Sequence, residues 1–268
     1  NMEVYVLNTK FESVAVIDEF ESLIWTDRYD ESGDFELFVA MDRTLLNYLK
    51  QDYYLWNAES EHMMIIEQIN ITSNVEDGNK LIVTGRSLES ILDRRIVWGQ
   101  RILTGNMQDA IYTLLQENII TPSISERKID NFIFTYSENS KITALTIDTQ
   151  YTGDNLYEII STLCKKNNIG FKIVLNDKDQ FEFMLYAGED RSYEQTKNPF
   201  VIFSPDFENI INSNYLESYK TMKNVTLVAG EGEGAARKTI SVGSASGLTR
   251  RELFTDARDI SSDIGSGE

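Results

Sequence analysis

The sequence predicts a mainly β protein of the α+β class, arranged in three parts. Three observations carry that reading. Short runs rich in Val, Ile and aromatic residues alternate with polar turns up to Thr84. Two amphipathic helical stripes then appear between Met107 and Cys164. Strand-like runs resume after Pro199. The expected divisions are 2–99, 100–192 and 193–268.

In the first part, Glu3–Leu7, Ser13–Ile17, Leu23–Trp25 and Phe35–Val39 read as strands. Asp42 is a suitable N-cap for a short helix reaching Lys50, with Leu45, Leu46 and Leu49 on one side. Tyr53–Trp56 and Met63–Thr72 are further strands. Asp77-Gly78 suits a hairpin turn leading into Lys80–Thr84, because glycine accepts positive φ. The pattern fits an antiparallel barrel or sandwich with one small helix. Gly85-Arg86-Ser87 then opens a helical turn carrying Leu88, Ile91 and Leu92.

The second part rests on two stripes. Met107, Ala110, Ile111, Leu114 and Leu115 share one face of a helix that Asn106 can cap. Leu156, Ile159, Ile160, Leu163 and Cys164 repeat the stripe, with Asp154 or Thr152 as the expected cap and Gly170 as the expected stop. Strands are expected at Asn131–Tyr136, Thr143–Thr149, Phe171–Leu175 and Gln180–Tyr186.

In the third part, strands are expected at Phe200–Phe203, Ile210–Tyr219, Asn224–Ala229, Thr239–Val242 and Glu252–Asp256. Between two of these lies Gly230-Glu231-Gly232-Glu233-Gly234, whose spacing imitates a dinucleotide-binding turn. Such a turn needs a helix directly after it, so that free N–H groups face the pyrophosphate. Here a strand follows, and Glu231 and Glu233 would place negative charge against phosphate. The loop is read instead as a mobile hairpin connection at a domain rim, suited to contact with another subunit.

Composition narrows the function classes. Net charge is −18, from 43 acidic and 25 basic residues. The basic residues fall in scattered pairs, including Arg94-Arg95, Arg127-Lys128 and Arg250-Arg251, and none builds the stripe that nucleic acid binding needs. His62 is the one histidine and Cys164 the one cysteine. A multi-histidine zinc site, a thiolate cluster and an internal disulfide are therefore excluded within one chain. His62 is expected at the surface and Cys164 in a helix core. Asp30-Glu31 with Asp34, and Asp177 with Asp179, lack calcium-loop spacing. No apolar run reaches the ~18 residues needed to cross a bilayer. No cofactor, metal or catalytic residue is expected.

Four segments, in order, resemble a known family. They are Trp25-Thr26 with Arg28-Tyr29 and Ser32-Gly33-Asp34-Phe35-Glu36-Leu37; Leu81 to Leu92; Tyr151-Thr152-Gly153-Asp154-Asn155-Leu156; and Val228 to Gly234. This set is similar to tail proteins of siphophages and of prophages of Gram-positive bacteria. It resembles the N-terminal hub portion of a tail-associated-lysin-like tail-tip protein, and the resemblance covers nearly the whole chain.

The resemblance implies two tube-like antiparallel β-barrel domains flanking a small α+β domain. It also implies assembly as a homotrimer that continues the tail tube, touching distal tail and tape-measure proteins. DNA would cross its lumen without specific binding, at the tip of a virion tail built in the bacterial cytoplasm. Such proteins usually continue into a part that binds receptor or cuts cell wall, so lytic activity is expected outside this chain. A carbohydrate- or receptor-binding β module is the rival expectation.

Overall fold

The computed structural model describes residues 2–76, 78–188, 200–202, 215–218, 222–232 and 236–257. In chain order it contains β1 (Val4–Leu7), β2 (Ser13–Ile17), β3 (Ser22–Thr26), β4 (Asp34–Ala40), α1 (Arg43–Tyr48), β5 (Tyr54–Trp56), β6 (Met64–Asn74) and β7 (Gly78–Ser87). A 3-10 helix at Leu88–Arg94 leads to β8 (Gln100–Asn106) and α2 (Met107–Leu115). Next come β9 (Phe132–Thr135), α3 (Ser140–Thr143), β10 (Thr146–Thr152), α4 (Leu156–Asn167), β11 (Gly170–Leu175) and β12 (Phe181–Tyr186). The remaining strands are β13 (Phe200–Ile202), β14 (Tyr215–Ser218), β15 (Val225–Ala229), β16 (Thr239–Val242) and β17 (Glu252–Asp256).

These elements form two compact units. The first takes Asn1–Ser90, Ile169–Phe183 and Gly188–Met222; the second takes Ile91–Asn168, Met184–Ala187 and Lys223–Glu268. The chain passes between them repeatedly.

The first unit is a nine-stranded sheet in the order β13-β3-β4-β7-β6-β5-β1-β2, with β14 also on β6. Among the described residues its strands pair antiparallel throughout. The alternation of apolar and polar residues decides which face is inside. Val4 and Val6 of β1, and Leu81 and Val83 of β7, point inward and are fully buried. Trp25, Leu37, Leu55 and Met64 join the same core. Asp42 caps α1 by accepting from the Thr44 N–H at 2.7 Å, as the sequence predicts. The β6–β7 hairpin turns at Gly78, where φ is +80°. β6 carries a bulge between Ile66 and Gln68, and its outer edge serves β5 at one end and β14 at the other.

The second unit holds α2, α3 and α4. β8 and β10 form an antiparallel pair running from Gln100↔Thr152 to Asn106↔Thr146. Met107, Ile111, Leu114, Ile160 and Cys164 are completely buried between the helices and their neighbours. Asn106 caps α2 by accepting from the Asp109 N–H at 3.0 Å. A separate three-stranded sheet has the order β16-β15-β17, with β16 antiparallel and β17 parallel to β15.

Several expectations need correcting. Asn155, not Asp154 or Thr152, caps α4, because the Asp154 carboxylate is taken by the Thr152 N–H at 2.7 Å. α4 stops at Asn168, which adopts φ +55°, one residue type besides glycine that accepts this conformation. Thr143 ends α3, whose first turn Asn139 caps, so the following strand begins at Thr146. β8 was not foreseen, since Thr104, Gly105 and Asn106 dilute its strand signal. The strands after Pro199 do not stay together: β13 and β14 pair into the first sheet, and β15, β16 and β17 form their own. The protein is mainly β, and among the described residues no sheet closes into a barrel.

Candidate functional site

The glycine loop joins β15 to β16. The Gly230 N–H donates to the Lys238 carbonyl at 2.8 Å and the Lys238 N–H to that of Glu231 at 3.2 Å, which continues the hairpin ladder past both strands. Gly232 sits at φ +105°, and a side chain there would crowd the Ala236 carbonyl at 3.0 Å. Glu233 and Gly234 lie outside the described residues. Arg237 anchors the base of the loop. Its guanidinium donates to Asp256 at 2.6 Å and to the Gly230 carbonyl at 3.0 Å, and lies over the Phe254 ring. Beside it opens a polar cleft of ≈ 710 Å³ whose walls include Gln100, Gln150, Thr152 and Arg237. The strand β16 follows this loop, where a dinucleotide turn needs a helix.

A second constellation lies deeper in the same unit. Glu252 is fully buried and is gripped by two arginines. Arg127 holds it in a two-pronged contact at 2.9 and 3.0 Å, and Arg250 adds a third at 2.7 Å. The Ile96 N–H also donates to it at 3.2 Å. Burial alone would raise the Glu252 pKa, but the Arg127 and Arg250 contacts outweigh it and hold it below the usual carboxylate range. Trp98 sits against both guanidinium groups, at 5.1 Å from Arg127 and 5.2 Å from Arg250. Arg95 is also buried, and it donates to the backbone carbonyls of Arg127, Arg94, Arg250 and Gly247. Burial first, then the neighbouring Arg127, Arg250 and Arg94 charges, push its pKa down to about 9. These contacts tie segments 94–98, 118–127 and 247–252 together.

In the first unit His62 is buried, contrary to the surface position expected for it. Its Nδ1 lies 2.9 Å from Oε1 of Glu89, which has no exposed side-chain surface. The sequence hid this pair because Glu89 opens the 3-10 helix and points inward with Leu88 and Leu92. Burial opposes protonation of His62. Glu89, with smaller help from Asp27 and Glu61, overcomes it and raises the pKa to about 9. Cys164 is buried and free, as expected. Among the described residues no group of three or more His, Cys, Asp or Glu side chains is placed to hold a metal ion.

The sequence model of the family described as Siphovirus ReqiPepy6 Gp37-like protein matches residues 3–266. The chain belongs to this family of siphovirus tail proteins. Solved structures give weaker likenesses. Prophage tail protein gp18 from Listeria monocytogenes EGD-e is 10% identical at TM-score 0.48, over 96% of this chain and 72% of that one. The 43 kDa tail protein of prophage MuSo2 from Shewanella oneidensis is 10% identical at TM-score 0.43, over 99% and 74%. A tail protein from Neisseria meningitidis MC58 is 15% identical at TM-score 0.40, over 96% and 72%. No curated protein matches in sequence.

In this siphovirus family member, the segments that carry the resemblance do structural work. Gly33 and Ser87 join their strands reciprocally: the Gly33 N–H donates to Ser87 Oγ at 2.7 Å, and the Ser87 N–H donates to the Gly33 carbonyl at 2.9 Å. Arg28 ties the same turn by donating to Asp34 and to the Ser32 carbonyl. A methyl group at Gly33 would lie 2.2 Å from the Thr26 carbonyl oxygen, and one at Gly85 would lie 1.8 Å from that of Ile65. Both positions therefore require glycine for space. Asn155 caps α4 and also donates to Asp93.

The residues missed by sequence reasoning are Arg95, Arg127, Arg250, Glu252 and Trp98. They are far apart in the chain, and only the isolated basic pairs hinted at them.

Proposed function

We propose that this protein is a structural hub at the tip of a phage tail, acting as an assembly platform and conduit and not as a catalyst. The observation that carries the proposal is the siphovirus family match, which runs over residues 3–266. In this reading three copies form a ring that continues the tail tube. Each copy supplies two tube-like β domains, one built on the sheet of 2–99 that β13 and β14 complete and one on the strands β15, β16 and β17, with the α+β part 100–192. Its neighbours are distal tail and tape-measure proteins. Gly230, Glu231, Gly232, Glu233 and Gly234 contact a neighbouring subunit.

Charge supports the conduit. Among the described residues the buried charged side chains are His62, Arg94, Arg95, Arg127, Arg250 and Arg251 against Glu67, Glu89 and Glu252. The described part of the chain therefore buries more positive than negative charge, which leaves its exposed side chains the more acidic. An acidic wall repels phosphate and lets DNA pass without pausing.

Light scattering across a concentration series tests the proposal. A threefold mass is expected, partial at low concentration. A strictly monomeric protein that binds glycans on an array would overturn it in favour of a carbohydrate-binding module.

A further inference from the structure

The sheet β16-β15-β17 has an unusual amount of open surface. All four residues of β16 are exposed, on both faces of the strand. On one face the cross-strand rows are Val242–Thr226–Leu253 and Ile240–Val228–Thr255. Ile240 is 68% exposed, Val242 57% and Leu253 44%. Thr226 and Val228 are only half-covered, whereas Val225, Leu227 and Ala229 on the opposite face are buried. One face of the sheet is therefore core and the other is an uncovered apolar strip.

The edges are open as well. Among the described residues, neither β16 nor β17 pairs on its outer side. An exposed edge with apolar side chains invites another strand, and folded proteins cover such edges. The two edges are complementary. β16 runs antiparallel to β17, so the β17 edge of one copy accepts the β16 edge of another in an ordinary antiparallel ladder. Charge agrees with this alignment. Ala229 is level with Thr239 on one side and Asp256 on the other, so exposed Lys238 and half-exposed Asp256 sit at the same end of the two edges. Level pairing between copies brings Lys238 of one copy beside Asp256 of the next, which already pairs with Arg237 of its own copy.

We propose that a second copy of this chain covers this strip: β16 of one subunit pairs with β17 of the next, and the sheet continues from subunit to subunit. The contact joins two different edges, so it is head-to-tail, the kind of interface that closes into a ring. The inference rests on the self-assembling hub reading above and assigns the edges that make it. It also gives the glycine loop a place, since that loop leads directly into β16 at the end where Lys238 and Asp256 lie.

Cysteine cross-linking of the full chain, in the double variant Ile240→Cys/Thr255→Cys, tests the pairing. Within one copy these positions lie two strands apart, about 9.5 Å. A disulfide does not reach beyond about 7 Å between Cα atoms, so any bridge joins two copies. The native Cys164 is buried and stays silent. Mild air oxidation with copper–phenanthroline is expected to give covalent dimers and trimers from the double variant and none from either single variant. Cross-linking by Ile240→Cys alone would mean a symmetric β16–β16 contact and overturn the proposal. A threefold mass without cross-links, both in this variant and in Val242→Cys/Thr255→Cys, would overturn it and leave the hub reading standing. A monomeric mass at every concentration would remove both.

Discussion

His62 faces Glu89 at 2.9 Å with both side chains out of solvent, and this pair ties stability to pH. In an unfolded chain imidazole titrates near 6.5. In the folded protein the value is raised to about 9. A raised pKa contributes stability that is complete below pH 6.5 and is lost as pH rises through 9. The full difference corresponds to about 3 kcal/mol. The melting temperature is therefore expected to fall between pH 6.5 and 9, and a melt series in His62→Gln should show a flatter slope there. An unchanged slope in the variant would refute the assignment. Glu89→Gln should cost about 3–5 kcal/mol at pH 6, because a buried imidazolium is then left without its counter-ion, and less at pH 9. Glu252 has the opposite sign: its depressed pKa contributes stability above the ordinary carboxylate range that is lost only in acid.

Among the elements, β7 has the least tolerance for change. It is paired on both sides, with β4 and β6, and passes the β6 bulge at Gly85. Gly85→Ala would drive a methyl group into the Ile65 carbonyl, so it is expected to cost about 3 kcal/mol or more, read as a lower midpoint in urea. Gly230→Ala is the contrast. Its added methyl would meet the Lys238 carbonyl at 3.7 Å, an ordinary contact, so its midpoint should move by less than about 0.5 kcal/mol. Equal effects would show that packing at Gly85 is not what limits the strand.

The same elements show what the sequence reveals. The stripes of α2 and α4, the Asp42 and Asn106 caps and the limits of β16 and β17 follow from periodicity and local capping chemistry. The cage around Glu252, where Arg127 and Glu252 are 125 positions apart, and the His62–Glu89 pair do not, because contacts between residues distant in the chain leave no local pattern. The cap of α4 was misread by one residue for a similar reason. Asn155 and Asp154 are both good caps, and only the fold shows that Asp154 is already engaged.

At the scale of the molecule, charge and connectivity matter most. Copies that each carry −18 repel one another at low ionic strength. Raising salt from about 0.02 to 0.3 M shortens the screening length to well under 10 Å, so self-association should strengthen with salt. Sedimentation velocity at both concentrations checks this; weakening with salt would mean that ion pairs dominate the contact. Connectivity acts on the way the protein is made. The first sheet takes β13 and β14 from beyond residue 199, long after β3 and β6, which they complete. Domains usually fold as units while they emerge from the ribosome, from the N-terminus onward. Here the first sheet must wait with two strand edges unpaired until residue 218 has left the ribosome, which makes the order of synthesis part of how this tail protein reaches its fold.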